Sequence, residues 1–495
     1  MTTEVELKVL LSPIHLHKAE DFFCAIEQSE YQGEHQLSNR YFDTPDLQLR
    51  QLKMGLRIRT SDAFTEQTIK TAGSVIGGLH SRPEYNVSLE NDVDQPQLAL
   101  FPKTIWPKTA NTAALNSELT CIFETNFNRK TWHVTYQKSV IEVVLDVGYI
   151  RSDLIANSRQ EPIHEIEFEL VSGAAEHLIS LAKKLAKVIP IRLGKASKAQ
   201  RGYQLAGKSK PLLLEPLTFI SHPEKSATTA VFANVIETAL ERWHLLEQLA
   251  QEHLNQPAKC CNFLYRLRSC IRLLSIIFKS LPSEQHKFDS SLDTLETQLG
   301  FIDDIQPILD TIKDPFEHDN PIDRELIIVR AQAQLEKFSL SNAINRLLLC
   351  KSYGYLQLCC LELVLLCKKK DLDNTLDPII SRLQNTTWQD LVSHIDKSDY
   401  NAQQYLQLGH TLENAILIGL AFGELYPHAD RDKFRAPWLD LSKGIRLLSY
   451  YCQLQTTREQ LHLKADAQLN SKQSTLLMAM EHTRLSARKV KPYWN

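Results

Sequence analysis

Charged and apolar side chains alternate in Glu4-Val5-Glu6-Leu7-Lys8, and the same alternation returns in Glu165-Ile166-Glu167-Phe168-Glu169-Leu170. Successive side chains of a β-strand point to opposite faces, so Val5, Leu7 and Val9 are expected to enter a core while Glu4, Glu6 and Lys8 line the other side. A solvated sheet face would satisfy the first run. The second is harder to place, because three carboxylates at i, i+2 and i+4 repel one another unless a metal or an array of Arg and Lys compensates them. The chain supplies such an array at alternate positions of β-like runs: Arg57 and Arg59, Lys70, and Arg82 with Glu84 and Asn86. Glu142 and Asp146, four apart, share a face as well.

Strands are predicted near 3–11, 37–43, 54–60, 65–71, 82–88, 119–126, 130–136, 140–147 and 162–170, with turn signals at Asp43-Thr44-Pro45 and Gly77-Gly78. About eight antiparallel strands can close around an interior wide enough for side chains or one small ligand. Closure would turn the charged faces inward, with carboxylates on one wall and cations on another. Carboxylates alone bind Mg²⁺ weakly and leave waters on it, so such a lumen suits a polyphosphate that bridges metal and basic side chains.

After Tyr203 the pattern changes. A stretch rich in Lys, Pro and Ser, 206–227, leads to apolar positions recurring every three or four residues, as in Val231, Phe232, Val235, Ile236, Ala239, Leu240, Trp243, Leu246 and Leu249. The expected organisation is α+β and multidomain: a barrel domain at 1–205 with flanking helices, a linker at 206–227, and an all-α bundle at 228–495. The 495 residues are enough for two cores, and a net charge of −3 gives no global case for nucleic acid. The ten cysteines include Cys260-Cys261 and Cys359-Cys360 but no Cys-x-x-Cys pair, and no apolar run reaches membrane-spanning length. With no cleavable signal, a cytoplasmic protein with buried thiols and no membrane partner is expected.

The ordered set Glu4/Glu6/Lys8, Arg57/Arg59, Lys70, Arg82/Glu84, Arg129, Glu142/Asp146, Glu165/Glu167/Glu169 and Ser197-Lys198-Ala199-Gln200-Arg201-Gly202-Tyr203 resembles the CYTH domains, or triphosphate tunnel metalloenzymes, over about 200 residues. The resemblance implies an eight-stranded antiparallel tunnel that holds a triphosphate with Mg²⁺ or Mn²⁺. Carried over position by position, Glu4, Glu6 and Glu169 would ligate metal, with Glu167 and Asp146 as further ligands or water-positioning groups. Arg57, Arg59, Lys70, Arg82, Arg129, Lys198 and Arg201 would clamp phosphate oxygens, and Lys8 would orient substrate or attacking water. The implied reaction is hydrolysis of inorganic triphosphate to pyrophosphate and phosphate. Thiamine triphosphatase, class IV adenylate cyclase and a non-catalytic polyphosphate-binding adaptor are the alternatives.

Blander readings stand beside several of these residues. Glu84 could pair with Arg82 across the lumen, and Glu142 falls at the rim if the register slips by one. Lys195 reads as a loop lysine. Of the adjacent Arg129 and Lys130, only one can face inward, and the resemblance favours Arg129. Thr71–Gly78 lacks the Gly-Lys-Ser/Thr ending of a P-loop and reads as a hairpin connection. The helical half resembles a degenerate CHAD domain, which implies long-chain polyphosphate as a partner. Its first basic stretch, Lys259–Phe278 with Lys279 just beyond, keeps Arg266, Arg268 and Arg272 but has Ala258 where a histidine is expected. A solvated basic face over Leu264, Leu267, Ile271 and Leu274 is the plainer reading. His394, His410, His428 and His482 show no metal-ligand spacing, and Lys368-Lys369-Lys370 reads as a helix terminus.

Overall fold

The computed structural model describes residues 2–90, 93–153, 159–223, 227–280, 289–315, 320–369, 377–395 and 400–494. It divides into two compact units, Met1–Leu212 with Leu348–Glu362 and Leu213–Leu347 with Leu363–Asn495. Among the described residues the first holds ten strands: β1 (Thr2–Leu11), β2 (Ser29–Asp43), β3 (Gly55–Thr60), β4 (Thr65–Lys70), β5 (Ser74–Ile76), β6 (Leu79–Leu89), β7 (Thr120–Tyr136), β8 (Ser139–Ser152), β9 (Arg159–Ser172) and β10 (Ile191–Leu193). It also holds helices α1 (Leu16–Cys24), α2 (Gln48–Gln51), α3 (Thr112–Ser117), α4 (Glu176–Val188) and α5 (Lys198–Leu205). Strands pair in the order β1-β9-β8-β7-β2-β3-β4-β6, and β6 pairs back onto β1. This closes an eight-stranded antiparallel barrel, to which the short β5 and β10 are added at β6 and β1.

The barrel inverts the usual arrangement of a sheet over a core. Its inner face is charged, so the apolar alternate positions point outward and need cover. Leu7, Val9, Ile166 and Phe168 are fully buried on that outer side. Helix α1 contributes Phe23, whose ring lies 5.5 Å from Trp132 and 5.9 Å from Phe168. Helix α4 buries Leu178, Leu181, Ala182 and Leu185. Over β3 and β4, Leu56, Ile58 and Ile69 pack with Leu98, Phe101 and Leu115.

Three strand assignments are corrected. The runs 119–126 and 130–136 are one strand, because the polar stretch Asn126–Lys130 pairs on both sides, with β2 and β8. β2 starts at Ser29 rather than 37: its polar first half carries no apolar alternation, but Glu30–Gln36 follow the β7 register, with a bulge between Tyr31 and Gly33. The connection Thr71–Gly78 contains β5, paired with β6.

The helices beyond the barrel are α6 (Thr228–Glu252), α7 (Pro257–Ser280), α8 (Asp289–Gln298), α9 (Ile302–Lys313), α10 (Pro321–Glu336), α11 (Leu340–Leu348), α12 (Lys351–Lys369), α13 (Asp377–Ile395), α14 (Ala402–Phe422), α15 (His428–Gln460) and α16 (Ala467–Ala487). In the second unit, one core joins Leu391, Tyr405, Leu412, Trp438, Leu441 and Met480 from α13 to α16. Lys370 and residues 224–226 lie outside the described residues. No single described helix is long and apolar enough to cross a membrane.

Gly148 of β8 leaves no room for a side chain, since a Cβ there would sit 2.1 Å from the Asn126 carbonyl oxygen and 2.4 Å from Phe127 Cα. Gly148→Ala is expected to destabilise the protein by about 2 kcal/mol, read as a lower denaturant midpoint.

Candidate active site

The register between strands decides which inward charges meet. Lys8 lies opposite Glu167, Glu4 opposite Arg82, Lys70 opposite Glu84, and Arg129 opposite Asp146. These are attractive cross-strand pairs. Two rows place like charges opposite each other instead: Glu6–Glu169–Glu142, and Asp146–Glu165. Such rows are destabilising until something positive enters them.

Lysines fill the second row. Lys8 Nζ donates to Glu165 Oε1 at 3.0 Å and also to Glu167, and Lys198 Nζ reaches Asp146 at 2.6 Å, Glu167 at 3.1 Å and Glu165. Burial opposes the charge on Lys8, but Glu165 and Glu167 outweigh it and hold its pKa well above the usual lysine value. Burial likewise opposes ionisation of Glu167, and Lys198, Lys8 and Arg129 overcome it and hold its pKa well below the carboxylate range. Asp146 receives two 2.7 Å bonds from Arg129 as well. This cluster is internally neutralised.

The Glu6–Glu169 row is not. Carboxylate oxygens of Glu4, Glu6 and Glu169 lie within 4.8 Å of one another, close enough to share one cation. Lys70 Nζ sits 2.5 Å from Glu4 and 3.4 Å from Glu84, but among the described residues Glu6 and Glu169 have no ion pair. Burial first and then Glu4, with smaller contributions from Glu167 and Glu6 and against the pull of Arg129, push Glu169 up to about 8. An all-carboxylate cluster with excess negative charge fits a hard divalent cation.

The opposite imbalance occurs across the same lumen. Arg57, 3.6 Å from Glu84, and Arg59, bonded to Asn39 at 2.9 Å and 3.9 Å from Glu66, stand side by side. Burial, Arg57 and Arg129 push Arg59 down to about 10. The barrel encloses a cavity of about 630 Å³ lined, among the described residues, by nine cationic and seven acidic side chains. A polyanion held with a metal would relieve both imbalances at once.

Glu4, Glu6, Lys8, Arg57, Arg59, Lys70, Arg82, Arg129, Glu167, Glu169 and Lys198 all line this cavity. Asp146 and Arg201 do not. Asp146 is fully buried behind Arg129 and Lys198. Arg201 is directed to Glu161 at 2.7 Å, Glu165 at 3.2 Å and the Pro162 carbonyl, anchoring α5 to β9. Glu84 pairs with Lys70 and Arg57 rather than with Arg82, whose Nη2 lies 3.1 Å from His80 Nδ1. Glu142 lines the cavity 3.0 Å from His133 Nε2. Lys130 points away, to Glu20 at 2.8 Å, and Lys195 is exposed outside the lining. The separation into acidic and basic walls is therefore only partial, because lysines penetrate the acidic side.

Sequence reasoning missed Tyr41, Asn39, Arg50 and Lys53. Asn39 and Tyr41 alternate on β2 opposite Arg59 and Arg57, a signal hidden because neither is charged. Arg50 and Lys53 lie on the connection between β2 and β3, outside any alternating run.

In the helical unit, Arg268 and Arg272 are buried rather than solvated. Arg268 makes a two-pronged pair with Asp303 at 2.7 and 2.8 Å. Arg272 binds Glu296 at 2.5 and 2.7 Å and also Glu413, and His410 lies 2.7 Å from Glu296. Leu264, Leu267, Ile271 and Leu274 are buried as expected, but the basic residues beside them face acids contributed by α8, α9 and α14, which spacing within α7 does not reveal.

Residues 2–203 match the CYTH domain family. This part of the chain is a CYTH domain. An inorganic triphosphatase of Haemophilus influenzae is 40% identical over 211 residues, which are 42% of this chain and 56% of that protein. The chain thus spans little more than half the length of this curated relative. Among solved structures, a Hippeastrum protein named as a candidate adenylyl cyclase with a dominant triphosphatase activity is 20% identical, covering 42% of this chain and 98% of its own, with a TM-score of 0.31. A candidate adenylate cyclase of Bacillus halodurans is also 20% identical, covering 43% of this chain and 95% of its own, with a TM-score of 0.23.

Glu169 links the acidic cluster of the CYTH domain to pH. Its folded-state value of about 8 exceeds the ordinary 4.5, so between those limits the folded protein keeps a proton that the unfolded chain has lost. Its contribution to stability therefore falls as pH rises through that window. In chelator, wild type minus Glu169→Gln is expected to lose melting temperature from pH 5 to 8, and Mg²⁺ is expected to remove the decline.

Proposed function

We propose that the chain is a metal-dependent hydrolase that cleaves inorganic triphosphate to pyrophosphate and phosphate in the barrel cavity. The observation that carries this reading is the meeting of two clusters in one cavity: Glu4, Glu6 and Glu169 with oxygens within 4.8 Å of one another and only Glu4 ion-paired among the described residues, to Lys70, and Arg59 beside Arg57 and Arg129. The CYTH match and the similarity to an inorganic triphosphatase support it.

In this reading Glu4, Glu6 and Glu169 hold Mg²⁺ or Mn²⁺. A divalent cation held there would supply Lewis acidity toward phosphoryl oxygens and the attacking water. Arg57, Arg59, Lys70, Arg82 and Arg129 bind the phosphate chain, and Lys8 and Lys198, held by Glu165, Glu167 and Asp146, orient its inner end by hydrogen bonding. Glu167 keeps Lys8, Arg129 and Lys198 in place, and Asp146 fixes Arg129 and Lys198 from behind. The water oxygen bonds to the terminal phosphorus, the bridging P–O bond breaks, pyrophosphate leaves with the electron pair, and the water's proton passes to a product phosphate oxygen or to solvent. Phosphoryl transfer needs little else from a protein than positioning and charge neutralisation. The aromatic rings of the lining favour an inorganic substrate over a nucleotide or thiamine ester: Tyr41 stacks on Phe123 at 4.5 Å, and Tyr203 carries Arg50 over its face at 4.4 Å.

For the helical unit we propose a docking or stabilising role. The charges of Arg268 and Arg272 are taken by Asp303, Glu296 and Glu413, which leaves less attraction for long-chain polyphosphate. The free cysteines, six of the ten buried, suit a reducing cytoplasm.

Phosphate release from tripolyphosphate should require divalent metal and far exceed release from ATP, thiamine triphosphate or pyrophosphate. Glu6→Gln and Arg59→Ala are each expected to lower kcat/KM about a hundredfold or more while the circular dichroism spectrum stays that of wild type. Undiminished turnover in either variant would contradict the assignment.

A further inference from the structure

The connection between β2 and β3 puts two further cations on the cavity lining, Arg50 and Lys53. Most of the other lining cations face carboxylates: Lys8, Arg57, Arg59, Lys70, Arg129 and Lys198 all have acidic partners. Among the described residues Arg50 and Lys53 have none within ion-pair distance. Both lie toward solvent, Arg50 half-buried and Lys53 exposed.

The connection is nevertheless firmly built. β2 ends in Asp43, whose fully buried carboxylate accepts the backbone N–H groups of Thr44 at 2.8 Å, Leu49 at 2.9 Å and Arg50 at 3.1 Å, and the Tyr203 hydroxyl at 2.9 Å. One carboxylate therefore ties the Arg50 backbone to α5, the helix that carries Lys198. The Arg50 guanidinium lies 4.4 Å above the Tyr203 ring and donates to Ser209 Oγ at 3.1 Å. Lys53 holds a left-handed backbone with φ of 58°, closed by its N–H to the Arg50 carbonyl at 2.9 Å and by Met54 N–H to Leu49 at 2.8 Å. A lysine in that conformation is strained, and persists where surrounding structure imposes it.

Two cations on a firmly held connection at a cavity, Arg50 with its guanidinium seated on Tyr203 and Lys53 with its backbone closed, lack counter-charge and are arranged for an anion from outside. The cavity, about 630 Å³, lies within the range of roughly 300–1,000 Å³ that takes drug-sized ligands, and a triphosphate is smaller than these. We propose that Arg50 and Lys53 form an outer anionic subsite that binds the phosphoryl group beyond the third of a linear inorganic polyphosphate. This rests on the triphosphatase reading and extends its substrate class to longer chains. A thiamine ester would bring a cation to the same place and be repelled.

The test compares tripolyphosphate with linear tetrapolyphosphate on the full-length protein, as steady-state KM with Mg²⁺ and as calorimetric Kd in chelator, where a metal-dependent hydrolase does not turn over. Wild type is expected to bind tetrapolyphosphate more tightly. Arg50→Ala/Lys53→Ala should weaken tetrapolyphosphate about tenfold or more, since a charge-assisted hydrogen bond contributes that much, while tripolyphosphate changes by less than about twofold. Lys53→Ala alone, on an exposed side chain, should shift the ratio the same way if the double variant folds poorly. Equal weakening of both ligands, no weakening of either, or wild type binding tetrapolyphosphate no more tightly than tripolyphosphate would overturn the subsite. Because Kd is read without turnover, a protein that binds both chains but hydrolyses neither contradicts the parent reading and still decides this one.

Discussion

Charges buried inside a closed sheet are tolerable only where each meets its opposite, and the pairing of β1 with β9 and of β9 with β8 decides where that succeeds. Sliding Lys8 beside Glu167 and Arg129 beside Asp146 produces a self-neutralised inner cluster. The same register sets Glu6 against Glu169 and leaves that row negative. A one-residue slip would turn every charge outward and every Leu, Ile and Phe of these strands into the lumen. Closure and register together thus prescribe a metal-sized deficit of positive charge at one place and a surplus at another.

The remainder of the CYTH domain follows from this inversion. Because the inner face is polar, stability comes from the outer face, where α1, α4 and the Leu98–Leu115 segment cover apolar positions that would otherwise meet water. The buried ion pairs contribute arrangement more than stability, since desolvation offsets much of their attraction. They hold Lys8, Arg129 and Lys198 in fixed positions before any ligand arrives, which is what phosphoryl transfer, the reaction proposed above, asks of a protein.

Much of this was legible in the alternation. Glu4, Glu6, Lys8, Arg57, Arg59, Lys70, Arg82, Glu167 and Glu169 all share the inner face because a strand has a period of two, whatever the fold around it. Alternation gives face but not depth, which is why Asp146 could not be told from the cavity-lining residues, and it says nothing of Arg201, which lies on α5 and is carried over from the family resemblance. It is also blind to uncharged members such as Asn39 and Tyr41, and to Arg50 and Lys53, which reach the lining from a connection. In the helical unit the limit is different. The arginines of α7 were visible, but Asp303, Glu296 and Glu413, which neutralise them, come from other helices, and spacing within α7 does not record such a pairing.

The central claim is that the Glu4, Glu6 and Glu169 cluster keeps a proton only until a divalent cation replaces it. Calorimetric titration of the protein with Mg²⁺ at pH 7, in buffers of different ionisation enthalpy, measures the protons released on binding. With Glu169 near 8, close to one proton should leave per metal bound, and none in Glu169→Gln. Mg²⁺ binding without proton release in the wild-type protein, or no binding at all, would contradict the account.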